Sequence, residues 1–426
     1  MKVRKTSLMT TKQKQAKLID ILTYTVLLII ISAVMLTLFY RQTTGGETGY
    51  WSDMEAYILE MLGVGSKYSF PYPVLFRFAA FLHLFTTPEM AVALATMLLN
   101  ALSMVIIKLA FQYLLGKEME AALPKCKWLA GILISILSLS LFYISMVYPP
   151  QGIYLPGIKH TYLGVFTPNP FHNATYLAAR PFALLAFFWY AKLLPVYEQG
   201  YGGKWKNPIS GVSLRDYVLF SLFLLLSTMT KPSFTLVICG AAGILMVYRM
   251  IRSGFRNFLP TIQLGCCFIP TFINLLYQYS GVFVPEPGEE GGIGFGLATA
   301  WKHYCDNIPL AVGLAAGFPI LVLLLNYKEL KKDMIYRFSW QVFGMSLLML
   351  LFMHEKGFRL LDLNFSWGYM YGIFFVFVGS LIVLIRTTAT KAKHVGLLIL
   401  EWLAYGWHLL CGILYFANIF AGNLYY

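Results

Sequence analysis

The sequence predicts an all-α, polytopic membrane protein with about eleven transmembrane helices. Three observations carry that expectation. Hydrophobic residues make up 58% of the 426 residues and charged ones only 12%, with a mean hydropathy of +0.65; a soluble domain carries about 25% charged residues. Apolar runs approaching the roughly 20 residues that cross a bilayer recur near 19–40, 90–115, 128–148, 174–197, 216–230, 233–250, 260–280, 308–326, 339–354, 368–386 and 396–418. Between alternate runs the chain is basic: one face collects 23 Lys/Arg and 7 Asp/Glu, the other 9 Lys/Arg and 11 Asp/Glu. That is the positive-inside pattern, so the formal net charge of +14 reports topology rather than a nucleic-acid partner.

The first run follows Lys2, Arg4, Lys5, Lys12, Lys14 and Lys17. It is too long for a signal-peptide core and has no small-residue cleavage site after it, so it reads as an uncleaved anchor with a cytoplasmic N-terminus. Eleven crossings then put the C-terminus outside a plasma (inner) membrane. The whole chain, 1–426, reads as one transmembrane domain. The parity turns on the 216–230 and 233–250 runs, joined only by Thr230-Lys231-Pro232. No internal repeat or inverted similarity is present, which counts against a transporter or flippase. Cys126, Cys239, Cys266, Cys267, Cys305 and Cys411 show neither paired spacing nor C-x-x-C. Neither a disulfide framework nor structural zinc is expected.

Four segments on the outer side exceed simple turns: 41–89, 149–173, 281–307 and 355–367. In the first, Ser52-Asp53-Met54-Glu55 has the S-x-x-E form of a capping box. Met54, Tyr57, Ile58, Met61 and Leu62 follow on one helical face, and Gly63 and Gly65 end the helix. The dozen residues Val74–Phe85, too short to span, suit an interfacial helix. Thr87-Pro88 supplies a cap and first-turn proline for the next span. The glycine-rich Gly288–Gly296 lacks the strand–helix context of a phosphate loop, so 281–307 reads as a flexible outer loop.

The chemistry therefore belongs on the outer face. Asp53 stands where the first span leaves the membrane, either complementing a helix dipole or placed to deprotonate an acceptor hydroxyl or hold a cation. Glu55 is its local competitor, already employed by the box. In Asn169-Pro170-Phe171-His172-Asn173-Ala174-Thr175, Asn173 or Thr175 can cap the fourth span. Arg180, about two turns beyond His172, either snorkels or offers a fork to a lipid phosphate. Lys231 supplies a second cation at that depth. Glu355-Lys356-Gly357-Phe358-Arg359 places three charges beside the bilayer, and Asn364-Phe365-Ser366-Trp367 follows. Lys108, near the opposite end of its span, could snorkel. His408 reads as a satisfied side chain ahead of an acyltransferase-type base.

These pieces resemble the GT-C superfamily of integral-membrane glycosyltransferases. The resemblance rests on Trp51-Ser52-Asp53-Met54-Glu55-Ala56-Tyr57-Ile58 after the first span, with Tyr72-Pro73 downstream, on Asn169–Thr175 through Arg180-Pro181-Phe182, and on Glu355–Arg359 with Asn364-Phe365-Ser366-Trp367-Gly368-Tyr369. It implies transfer of a sugar from a polyprenyl-phosphate donor to a glycan or lipid acceptor in the bilayer, with Asp53 as the base or acceptor-positioning carboxylate. Phosphate leaves the anomeric carbon, so cations must meet it: Arg180, Lys231 and Arg359, with His172 close by. Direct attack by an acceptor activated at Asp53 would invert the anomeric centre. Glu55, Asn173, Glu355, Asn364 and Trp367 would support the site or the acceptor. Some members carry a paired acidic motif; Asp53-Met54-Glu55 departs from it, so a divalent cation stays open and no metal ligands are assigned. A lipid-linked polysaccharide polymerase would use the same cations without an essential carboxylate.

Overall fold

The computed structural model describes residues 11–45, 49–64, 70–147, 155–199, 213–282 and 291–423. Lys2, Arg4 and Lys5 of the basic leader, Lys204 and Lys206, and Gly288-Glu289-Glu290 of the glycine-rich stretch lie outside them. The chain is all-α and polytopic. Helix α1 (Thr11–Thr44) is followed by α2 (Met54–Leu62), α3 (Pro73–His83), α4 (Pro88–Ala122), α5 (Lys127–Ser140), the single turn α6 (Thr161–Gly164), α7 (Ala174–Gln199), α8 (Leu214–Thr230), α9 (Ser233–Arg252), α10 (Phe258–Cys266), α11 (Ile269–Val282), α12 (Ile308–Asn326), α13 (Met334–Phe352), α14 (Asn364–Ala389) and α15 (Val395–Phe420). Among the described residues the only sheet pairs β1 (Ile293–Phe295) antiparallel with β2 (Met353–Glu355), Ile293 opposite Glu355.

Among the described residues eight helices are long and apolar enough to cross a membrane, nine if α10 and α11 count as one span bent by 50°. The expected eleven are not all of span length. At about 1.5 Å per residue, the 14 residues of α5 cover roughly 21 Å of a core about 30 Å thick, and α8 has 17 residues. The span expected at 128–148 thus stops at Ser140, and the next stretch is buried but non-helical. Backbone at such depth persists only where protein satisfies it. Asn169 Nδ2 donates to Leu141 and Ile144 carbonyls at 2.9 and 2.8 Å, Ser145 N–H to the His408 carbonyl at 3.1 Å, and Val147 N–H to the Leu314 carbonyl at 2.8 Å.

His408 completes that repair. Its Nδ1 lies 2.7 Å from the Ser145 carbonyl, and its Nε2 accepts from Phe318 N–H at 3.2 Å. Phe318 precedes Pro319 in α12, whose backbone breaks at Ala316 (φ −127°, ψ 25°). Both ring nitrogens are committed to backbone, which leaves no lone pair to activate a hydroxyl.

Helix α14 runs through the centre, fully enclosed over its apolar window, as expected for a helix apolar all round. A Cβ at Gly372 or Gly379 would run into Ser346 or Ser339 of α13, so small residues set this close helix pair. Lys108 does not snorkel. It donates to Asp20 of α1 at 2.8 Å, to Gln112 and to the Gly131 carbonyl, while Ser135 of α5 also donates to Asp20. Glu401, fully buried, pairs with Lys393 at 2.7 Å and accepts from Asn326 at 2.6 Å. Arg386 joins Glu118 and Asp333, tying α4, α13 and the end of α14 together. Lys108, Glu401 and Arg386 thus each meet an opposite charge, as a medium without water favours.

Candidate functional site

The site forms where α1 ends. Gln42 Nε2 donates to the Phe171 carbonyl at 3.0 Å and Asp53 N–H to the His172 carbonyl at 3.4 Å, which fastens the Pro168–Asn173 stretch against the start of α2. The expected capping box does not form. Ser52 Oγ accepts from Met54 N–H at 3.2 Å, Asp53 occupies the cap position without a side-chain cap bond, and Glu55 points outward, exposed. Because a nearer hydroxyl has taken the first free amide, the Asp53 carboxylate is released toward the interior of the site. Gly63, at φ 71°, ends α2 as expected, since the left-handed conformation is cheap for glycine alone. Thr87 Oγ1 caps α4 by accepting from Met90 N–H at 3.3 Å.

Asn173 is the hub. Its Oδ1 accepts from Tyr176 N–H at 3.0 Å, capping α7, and from Thr175 Oγ1 at 2.6 Å and Lys231 Nζ at 3.2 Å. Three donors on the oxygen leave the Nδ2 end to face Asp53 Oδ2, at 2.6 Å. Tyr57, four residues along α2, donates to the same oxygen at 3.1 Å. Among the described residues Asp53 Oδ1 meets the His172 ring alone, Nε2 at 3.5 Å, and the carboxylate keeps 35% of its surface. Oδ1 is thus the more open oxygen. Burial pushes the Asp53 carboxyl up, but the hydrogen bond and charge of His172, the Lys231 charge and the Tyr57 hydroxyl outweigh it and hold the group below the usual carboxylate range. Ionisation is therefore retained until the pH drops below that range, where the stabilisation it brings is lost. Tyr57 itself is pushed well above the usual phenol range, by burial first and then by the Asp53 charge.

Lys231 lies in the tight α8–α9 turn, 6% exposed. Nζ donates to Thr175 Oγ1 at 3.1 Å besides Asn173 and sits 4.7 Å from the centre of the Trp367 ring. Burial lowers its pKa to about 8 against the opposing pull of Asp53 and Glu355. On β2, Glu355 is 3% exposed and accepts from Asn364 Nδ2 at 2.6 Å. Burial lifts its carboxyl to about 7, despite Asn364, Arg359 and Lys231. Arg359, half-buried in the 3-10 turn Gly357–Asp362, and Glu355 both act on Tyr72 just ahead of α3, whose hydroxyl burial pushes up to about 12.

Asp53, His172, Asn173, Lys231, Glu355, Arg359, Asn364 and Trp367 therefore share one cluster drawn from five separate stretches of chain. Arg180 does not join it. It is 1% exposed, donates to Asn169 Oδ1 at 2.8 Å and the Pro168 carbonyl at 3.3 Å, and lies against Phe374, Tyr176 and Phe142. It neither snorkels nor faces the Asp53 cluster; it holds the Pro168–Asn169 bend that carries Asn173. Tyr57, Tyr72 and Thr175 belong to the site as well. The i, i+4 spacing of Asp53 and Tyr57 is the signal that finds one of them; read as part of an apolar face, Tyr57 gives no hint of its hydroxyl. The segment expected to be a flexible loop holds, over 291–307, strand β1 and a 3-10 turn, with Trp301 Nε1 donating to the Gly164 carbonyl at 2.9 Å.

Among the described residues no three His, Cys, Asp or Glu side chains gather to hold a metal ion. The charges of Asp53 and Glu355 both act on the Lys231 ammonium. Chemically, the cluster offers an ionised carboxylate with one open oxygen, an ammonium fixed beside it, and a guanidinium and a second, more easily protonated carboxyl next to that. The chain matches no protein-family model, no curated protein and no solved structure.

Proposed function

We propose that this protein is a membrane glycosyltransferase of the GT-C kind, moving a sugar from a polyprenyl-phosphate donor to a glycan or lipid acceptor. The observation that supports it is the bridge Asp53–Asn173–Lys231, in which one amide holds a carboxylate and an ammonium in fixed relation. A hydroxyl acceptor hydrogen-bonded to Asp53 Oδ1 gives up its proton as it attacks the anomeric carbon. The phosphate leaves from the opposite side toward Lys231 and Arg359, which stabilise the growing negative charge, and the anomeric centre inverts. Asn173 and Tyr57 hold Oδ2, so Oδ1 does the proton transfer. Trp367 shields the Lys231 ammonium from water. In this reading α5 and α8 complete eleven crossings, with the N-terminus in the cytoplasm, the site and the C-terminus outside, and the plasma membrane as host.

Proteoliposomes supplied with radiolabelled polyprenyl-phosphate hexoses or pentoses, plus an extract of envelope glycans, test the reading. Label is expected to leave the lipid for the glycan fraction with at least one donor. Retention of all label on the lipid, for every donor, would overturn it.

A further inference from the structure

Resting on that reading, we propose that Glu355 is a second catalytic residue, the general acid that hydrogen-bonds the bridging phosphate oxygen of the donor and protonates it as the sugar departs. Geometry separates the two carboxyls. An amide and a phenol hold Asp53 Oδ2, while Oδ1 meets the His172 imidazole at 3.5 Å and is the more open oxygen. Glu355 is enclosed at the end of a two-stranded ribbon, and among the described residues its one hydrogen-bond partner is Asn364, on Oε2. Oε1 is left for a ligand. Both carboxyls interact with Lys231, the group that would carry the phosphate.

The charged and titratable groups facing Glu355 come from every neighbouring element: Lys231 from the α8–α9 turn, Arg359 and Asp362 from the 3-10 turn, and Tyr72 from ahead of α3. His354 and Lys356 flank it in sequence. Burial dominates over these and lifts the carboxyl to about 7, while Asp53 is held down. Two acids driven apart by their surroundings are the mark of an acid and a base in one site.

The step balances. The acceptor oxygen bonds to the anomeric carbon and its proton passes to Asp53. The bond from that carbon to the phosphate oxygen breaks, its electron pair goes to the oxygen, and the Glu355 proton follows. Polyprenyl hydrogen phosphate leaves, and return of one proton from Asp53 to Glu355 resets the enzyme. The net change carries the acceptor's proton to the phosphate.

Farnesyl methyl phosphate, a diester that keeps one negative charge at all working pH values, is the probe, with binding followed by calorimetry in nanodiscs between pH 5.5 and 7.5. A Glu355 proton present below about 7 and lost above it makes the wild type bind about threefold more weakly at pH 7.5 than at 5.5, the part of a roughly tenfold loss of a hydrogen bond to a charged group that a half-unit rise past the midpoint exposes. Glu355→Gln, which always donates, loses the fall centred near pH 7 and keeps only the onset of the Lys231 fall near 8, and with an active donor its turnover drops on the order of 100-fold while affinity is kept. Asn364→Leu removes the bond that opposes the burial shift, so its fall in affinity moves to higher pH. A fall still centred near pH 7 in Glu355→Gln, or an unchanged midpoint in Asn364→Leu, would overturn the assignment. No binding of the diester by the wild type at any pH would instead sink the lipid-phosphate reading beneath it.

Discussion

Asp53→Asn is expected to reduce sugar transfer by about 10²–10⁴-fold, the range that a positioned general base contributes, while donor affinity changes little. The substitution is nearly isosteric, and asparagine suits the cap position of α2 as well as aspartate does. One amide oxygen can still accept from Tyr57 or Asn173, the donors on Oδ2 of the native carboxylate. What is lost is the proton acceptor at Oδ1. Single-turnover measurement of label transfer, with equilibrium binding of the donor beside it, separates the two effects. A variant that turns over at near-normal rate removes Asp53 from the chemistry. One that neither binds nor turns over would assign Asp53 to holding Lys231 in place.

Lys231→Met is expected to cost 10²–10³-fold in kcat/KM, about what one donor to a developing negative charge is worth. In contrast to Asp53→Asn, much of this loss appears as weaker donor binding. The wild type should also lose activity as pH rises through about 8, where the ammonium gives up its proton. In the variant that part of the alkaline fall disappears. Lys231→Arg is not expected to rescue, because the ammonium sits in a compact slot between Asn173 Oδ1, Thr175 Oγ1 and the Trp367 ring, and a planar fork has a different shape and hydration. A pH–rate profile of kcat/KM for the three forms is the check. Unaltered kcat/KM in Lys231→Met would contradict the assignment.

The parts of the molecule that local pattern controls were legible from sequence. Composition and charge asymmetry gave the polytopic all-α class. Gly63 as the stop of α2, Thr87 as the cap of α4 and the interfacial length of α3 follow from the residues at those positions. So does the prominence of Asp53 and Asn173, each at a helix start beside a short polar stretch. The S-x-x-E pattern misled because Ser52 had a nearer amide, that of Met54, to bond; the two choices look alike in sequence. Arg180 and Lys231 could not be told apart by depth, since only the packing of α7 against α14 turns one inward among aromatic rings while a tight turn points the other at the site. Lys108 and Asp20 lie 88 positions apart, and an ion pair between two helices leaves no mark in either. The early end of α5 is likewise set by distant groups: Asn169 donates to the Leu141 and Ile144 carbonyls, and His408 bonds both the carbonyl and the N–H of Ser145, where the helix would otherwise have continued.

The most direct test of the central claim, that this cluster seats a lipid phosphate, is the position of phosphorus in a structure of the protein with bound farnesyl methyl phosphate. Phosphate oxygens are expected within charge-assisted hydrogen-bond range, about 2.7–2.9 Å, of Lys231 Nζ and the Arg359 guanidinium, with the esterified oxygen turned toward the open side of Asp53. Phosphate bound at the membrane rim, with Lys231 still enclosed by Asn173, Thr175 and Trp367 and untouched by the ligand, would contradict it.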